Sequence, residues 1–365
     1  MKAALYLPMR YNGPSAGAGW PISGSIYSAE LAERSMRSYI NQYQRADEVG
    51  FDWVTVAEHH YSPFSLNPNP MVTAGALTQV VKRAKIALLG STIPILNPVR
   101  VAEEFAMIDT LSGGRVIAGM LRGTPNEYAT YNINPQESRE RFEEALSLIK
   151  MAWSEPEPFA WQGRYYDYRT VAIWPRPVQQ SPQIFMSGSS PESAEFAARN
   201  QISLGFAFTN VPQAKKSADY YVEQAKRFGW TPTQDNMVYR VTVHVADTDD
   251  EAMAQFAEAS KDAPRTSLTM ANRDLEASVA SSGYYGRDQE AQRQRLMSKG
   301  LQERIDTGQV AIGSPDTVVK QLERIYRDLH VGIVDMTIIH DLGEVTLHSI
   351  DLLGEKVLPR IRKFQ

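Results

Sequence analysis

Short apolar runs of β type alternate eight times with longer amphipathic segments, and no other feature restricts the fold of this chain as strongly. The runs are Ala3–Leu7, Trp53–Ala57, Ile86–Gly90, Val116–Met120, Gln183–Ser187, Leu204–Phe208, Tyr239–Val245 and Ile333–Ile339. Helical periodicity marks Glu30–Val49, Met71–Arg83, Val99–Leu111, Arg139–Trp153, Pro191–Asn200, Ala214–Phe228, Glu251–Ala259 and Asp316–Leu329. Each strand is thus followed by a helix, the pattern of a parallel sheet with crossover connections. Eight such units predict a (β/α)8 TIM barrel, whose active site lies at the C-terminal ends of its strands. The 365 residues exceed the roughly 250 of a minimal barrel, which predicts one domain over 1–365 with insertions. Ser190-Pro191 and Ser314-Pro315 read as helix starts, and Gly50 and Gly229 as helix ends.

Two segments exceed the minimal barrel. Glu155–Pro182 holds five prolines and the aromatics Phe159, Trp161, Tyr165, Tyr166, Tyr168 and Trp174, which predicts an extended, packed excursion. Asp262–Gly308 is polar, with Ser282-Gly283 and Tyr284-Tyr285-Gly286 inside it. After the seventh strand such an insertion lies beside the active-site face, so 262–308 is expected to be a lid; a solvated surface insertion is the alternative.

Composition removes several classes of function. Hydrophobic residues at 43% and charged residues at 22% permit a filled core without disorder bias. A net charge of -4 with no lysine or arginine run gives no footprint for nucleic acid or an anionic membrane. The chain has no cysteine, which excludes disulfides, thiolate metal sites, iron-sulfur clusters and a cysteine nucleophile. MKAALYLPMR has too short an apolar run for a signal peptide, and no stretch approaches the ~18 apolar residues of a membrane span. A cytoplasmic protein is expected.

The strand ends carry the chemistry. Strand two ends in Ala57-Glu58-His59-His60-Tyr61, strand four in Leu121-Arg122-Gly123 and strand five in Ser187-Gly188-Ser189-Ser190, which leads straight into a helix. Backbone N–H groups and the helix dipole converge at such a turn, the arrangement that binds phosphate. Ser189, Ser190 and Ser193 add hydroxyl donors and Arg122 a positive charge; simple capping by Ser190 is the alternative. Neighbouring residues on a strand face opposite ways, so His59 and His60 are not expected to share a metal ion. One histidine, His59, is expected to face the pocket as proton carrier or hydrogen-bond donor, and His60 to serve packing. His340, at the end of strand eight, is also well placed. No GxGxxG follows the first strand.

FDWVTVAEHHYSPF, followed by LNPVRVAEEFAMIDTLSGGRVIAGMLRG, resembles the bacterial luciferase-like, flavin-dependent monooxygenases, and the likeness continues to GSPDTVVKQLERI near the C-terminus. It implies a barrel that binds reduced FMN, or in one branch a deazaflavin, and reacts with oxygen and a small organic substrate. Carried over by motif, Glu58 and His59 lie near the flavin, with His59 similar to the histidine tied to flavin-peroxide chemistry in luciferases. Leu89 and Gly90 stand where the family often has a non-proline cis peptide beneath the flavin ring. Arg122 with Thr124 matches the segment that reaches the flavin phosphate, and Ser189, Ser190 and Ser193 match the phosphate-binding turn. Luciferase has a reactive cysteine in place of Leu121 and a glutamate in place of Gly188, which separates this chain from light emission. The absence of a nicotinamide fingerprint leads to the oxygenase component of a two-component system, served by a separate flavin reductase. A deazaflavin-dependent oxidoreductase and a non-catalytic flavin-binding subunit are the alternatives. Trp20, Tyr61, Phe64 and Phe208 are candidates for substrate contacts, and a homodimer is expected.

Overall fold

The computed structural model describes residues 1–14, 20–188, 190–207, 209–261, 300–338 and 340–364. Its strands are β1 (Lys2–Tyr6), β2 (Trp53–Val56), β3 (Lys85–Thr92), β4 (Val116–Leu121), β5 (Phe159–Gln162), β6 (Asp167–Val171), β7 (Ile184–Ser187), β8 (Ser203–Phe206), β9 (Met237–Val245), β10 (Val310–Gly313) and β11 (Ile333–Thr337). The principal sheet runs β10-β9-β11-β1-β2-β3-β4-β7-β8, and β8 returns to pair with β9. Every pairing within it is parallel. The result is a closed (β/α)8 barrel built from β1, β2, β3, β4, β7, β8, β9 and β11.

Two additions depart from the plain alternation. Strand β10 pairs with Thr242–Val245 of β9, beyond the stretch that β8 occupies on the same edge. Strands β5 and β6 form a separate antiparallel hairpin within the proline-rich excursion. The expected insertion 262–308 falls largely outside the described residues; its end forms a helix at Leu301–Asp306.

The helices that bear on the site are α1 (Ala29–Val49), α2 (Pro70–Val80), α3 (Pro98–Ser112), α4 (Pro125–Tyr131), α5 (Ser138–Ser154), α6 (Pro191–Arg199), α7 (Val211–Arg227) and α8 (Asp249–Lys261). Several start where an Asn or Ser side chain accepts from the first turn: Asn69 for α2, Asn97 for α3, Ser190 for α6 and Asn210 for α7. In each of these four a proline occupies the first turn, where its missing N–H is no loss. Among the described residues no helix is long and apolar enough to cross a membrane.

The barrel interior is layered. Ala4, Trp53, Ala87, Ile117, Phe185, Val238 and Ile333 pack together on the axis, with the Trp53 and Phe185 rings edge-to-face at 5.6 Å. A polar group lies one pleat further along the strands. Arg240 Nε donates to Asp335 Oδ2 at 2.7 Å, Thr55 Oγ1 donates to Asp335 Oδ1 at 2.9 Å, and the guanidinium sits 3.8 Å over the Tyr6 ring. The side chains of Arg240 and Asp335 are 13% and 1% exposed, so this ion pair is shielded from water.

Candidate active site

The residues after β2 are fixed by their main chain. His59 N donates to Asn67 O at 3.1 Å, Asn67 Nδ2 donates to Ala57 O at 2.8 Å, and Trp20 Nε1 donates to His60 O at 2.8 Å. Thr73 Oγ1 donates to Asn67 Oδ1 at 2.7 Å, which locks that asparagine in turn. Glu58, His59 and His60 are consequently buried, each under a tenth exposed. Glu58 Oε1 and His60 Nε2 are 3.0 Å apart, and Thr92 N donates to Glu58 Oε2 at 3.2 Å.

This geometry gives His60 a second role beside the packing expected of it. Side chains two apart in extended backbone share a side, so Glu58 goes with His60. The His60 ring also meets Tyr131 edge-on at 5.4 Å, whereas His59 meets Phe64 at 5.4 Å. His60 therefore holds the glutamate as well as packing, and His59 faces a different wall.

Strand β3 approaches the same spot. A register shift between Leu89 and Ser91 interrupts its pairing with β4. A Cβ at Gly90 would stand 2.7 Å from Ala57 Cα and 2.9 Å from Glu58 N, so no larger residue fits without moving the segment that carries Glu58. The Leu89–Gly90 peptide is trans; among the described residues the cis bonds are Trp20–Pro21 and Trp174–Pro175. The non-proline cis bond expected here is thus not found.

The end of β4 leads through Arg122 into α4. Thr124 N donates to Glu127 Oε2 at 2.5 Å, and the Thr124 hydroxyl also bonds that carboxylate, in a capping box. Burial pushes the Glu127 carboxyl up, opposed by its bonds to Thr124 and reinforced by the charge of Glu58. The Tyr128 hydroxyl donates to the Arg122 carbonyl. Thr124 is thus a cap for α4, and its hydroxyl is engaged with Glu127.

At the start of α6, Ser193 N donates to Ser190 Oγ at 3.3 Å, and the Ser190 and Ser193 hydroxyls are 3.2 Å apart. Glu192 in this first turn is held below the usual carboxylate range by its own backbone N–H, by the Ser190 hydroxyl, and then by the charges of Arg139 and Arg122. The positive charges of Arg139 and Arg122 are thus felt at the turn that carries Ser190 and Ser193. Ser189 and Phe208, both expected at the site, lie outside the described residues. Hydroxyls, helix N–H groups and guanidinium charge form a donor set that fits a phosphate monoester.

His340 follows β11, where the edge of the Phe256 ring from α8 meets it at 6.1 Å. Burial first, then the charges of Arg10 and His244, pull its pKa down to about 4. Trp20 is buried and stacks on the half-exposed Tyr61 at 5.7 Å. Glu127, Tyr131, Asn67 and Arg139 were not singled out in the sequence. Only Glu127 carried a signal, the Thr124-Pro125-Asn126-Glu127 spacing of a capping box.

Over 215 residues the chain is 25% identical to the oxygenase component of a flavin-dependent trigonelline monooxygenase from Acinetobacter baylyi, covering 57% of this chain and 59% of the relative. Over 329 residues it is 27% identical to an F420-dependent glucose-6-phosphate dehydrogenase from Microbacterium testaceum, covering 87% and 91%. The chain spans only about half to three-fifths of the length of several other curated relatives it matches. Among solved structures, the oxygenating constituent of 3,6-diketocamphane monooxygenase from the CAM plasmid of Pseudomonas putida, in complex with FMN, superposes with a TM-score of 0.73 at 21% identity, covering 95% and 98%. The family model described as luciferase-like monooxygenase matches residues 18–331, and the chain belongs to that family.

Proposed function

We propose that this chain is the oxygenase component of a two-component monooxygenase, which takes reduced FMN from a separate reductase and oxygenates a small organic substrate. The observation that carries this reading is the serine-lined start of α6, where Ser190 Oγ accepts from Ser193 N, on the same barrel face as the buried Glu58, His59 and His60. Relatives described as flavin-dependent oxygenase components support it. When bound, FMN supplies the electrons and the activation of oxygen. The protein does the rest. Ser190, Ser193, the α6 N–H groups and Arg122 hold the phosphate, and Gly90 keeps the pocket wall thin beside Glu58. His60 fixes the Glu58 carboxylate through Nε2, and His59 presents an imidazole able to donate or accept a proton at the reacting end. Aromatic side chains around it exclude water.

Arg122→Ala is expected to weaken FMN binding by about 1.5 to 3 kcal/mol, the range for hydrogen bonds to charged groups. Riboflavin, which lacks the phosphate, should lose little affinity. Equal losses for the two flavins in fluorescence titrations would remove Arg122 from phosphate binding. A deazaflavin-dependent hydride transfer is the second reading, favoured by the near full-length match to the F420-dependent relative.

A further inference from the structure

Arg10 stands just beyond β1, on the face that carries the strand ends. Met9 before it adopts a left-handed φ of 55°, uncommon for a side-chain-bearing residue. Two backbone bonds fix the turn on either side: Leu66 N donates to Met9 O at 2.7 Å, and Tyr11 N donates to Pro63 O at 2.9 Å. The guanidinium lies 5.0 Å over the Phe64 ring, and Phe64 in turn meets His59 at 5.4 Å. Arg10 is therefore one ring away from His59.

Among the described residues no carboxylate pairs with it, and its buried Nε has no hydrogen-bond partner. The neighbouring acids are committed elsewhere. Glu58 holds His60 and the Thr92 N–H, and Asp341 accepts from Asn12 Nδ2 at 2.9 Å and Gln42 Nε2 at 2.8 Å. Asp335 holds Arg240 and Thr55. Arg240 shows what a shielded guanidinium in this barrel has when its role is structural: a carboxylate at 2.7 Å. Arg10 lacks one, and burying a charge without a counterion is unfavourable.

The other groups near it carry no negative charge to spare. Burial pulls the Arg10 guanidinium down, opposed by Tyr39 and Tyr6, and the charge of Arg10 in turn helps to depress His340. His244 Nε2 lies 2.8 Å from Gln255 Oε1, and the Phe256 ring packs against both His244 and His340. A guanidinium fork with a neutral imidazole nearby and aromatic walls suits a carboxylate on an apolar body.

We propose that the substrate of this site is a small organic anion whose carboxylate, or a group of like charge and shape, is received by Arg10 beside His59. The proposal rests on the reading of the barrel face as the active site. Its test needs no flavin. Calorimetry on the flavin-free protein compares benzoate with benzamide, two probes alike in shape and different in charge. Benzoate is expected to bind roughly ten- to hundred-fold more tightly, the effect of hydrogen bonds to a charged group. Arg10→Met should abolish the preference, and Arg10→Lys should keep part of it. In NMR titrations of the His340 ring protons, bound benzoate should raise the pKa and benzamide should not. Equal affinity for the two probes in the native protein, with no effect of benzoate on His340, overturns the proposal. So does a benzoate preference that survives Arg10→Met in a protein of native melting temperature. If Arg10→Met does not fold, the two measurements on the native protein decide. Failure of FMN to bind would sink the cofactor reading and leave the probe comparison standing.

Discussion

His59→Ala is expected to leave the barrel folded and FMN binding intact while product formation falls by about 100- to 10,000-fold, the usual worth of general acid-base help. The fold should survive because the local main chain does not depend on the imidazole: the His59 N–H is held by the Asn67 carbonyl, and Asn67 is held by Ala57 and Thr73. Oxygen consumption should continue, with hydrogen peroxide released in place of oxygenated product. The ratio of product formed to oxygen consumed measures this, and a native ratio in the variant would take His59 out of the reaction. His60→Ala is the control. It deprives the buried Glu58 of its partner and should lower stability by about 1 to 3 kcal/mol, the cost of an unsatisfied buried group.

Asp335→Ala is expected to produce the largest stability change of any single substitution in the barrel interior. It leaves the Arg240 guanidinium shielded, without its carboxylate, and removes one of the two acceptors within reach of Thr55 Oγ1, leaving the Leu5 carbonyl. Breaking a buried pair from one side costs about 3 to 5 kcal/mol, about 4 to 6 °C in melting temperature for a chain of this size. Arg240→Met with Asp335→Leu should recover most of the loss, because no charge then remains in the interior. Urea unfolding of the three variants decides. A loss in Asp335→Ala of only about 0 to 1 kcal/mol, the range for an exposed pair such as Lys2–Asp235, would show that water reaches Arg240.

The alternation of apolar runs and amphipathic segments made the barrel legible, because each barrel strand buries residues on both faces and each helix covers one of them. What stayed hidden was short or local. Strand β10 is a four-residue buried run placed directly after the polar insertion, too brief to show a period. The β5–β6 hairpin is half-buried or exposed everywhere except Val171, because it packs outside the barrel. The strand ends were readable as a site because a barrel places all of them on one face. Partnerships across that face were less so. Extending the two-residue alternation past β2 puts Glu58 with His60, as the structure has it, a pairing that motif likeness does not give. Arg139 lies on α5, far in sequence from the α6 turn where its charge is felt by Glu192. Arg10 and Asn67 belong to loops, where no periodicity announces a buried side chain.

The central claim is that this face receives reduced FMN. Anaerobic ultrafiltration of the protein with photoreduced FMN, photoreduced riboflavin or reduced deazaflavin, followed by admission of oxygen, tests it most directly. The account predicts that one reduced FMN is retained per chain, that riboflavin passes through, and that the retained FMN regains its oxidised absorbance more slowly than free FMN does. Retention of the deazaflavin with passage of FMN, or reoxidation of FMN at the rate seen without protein, would contradict it.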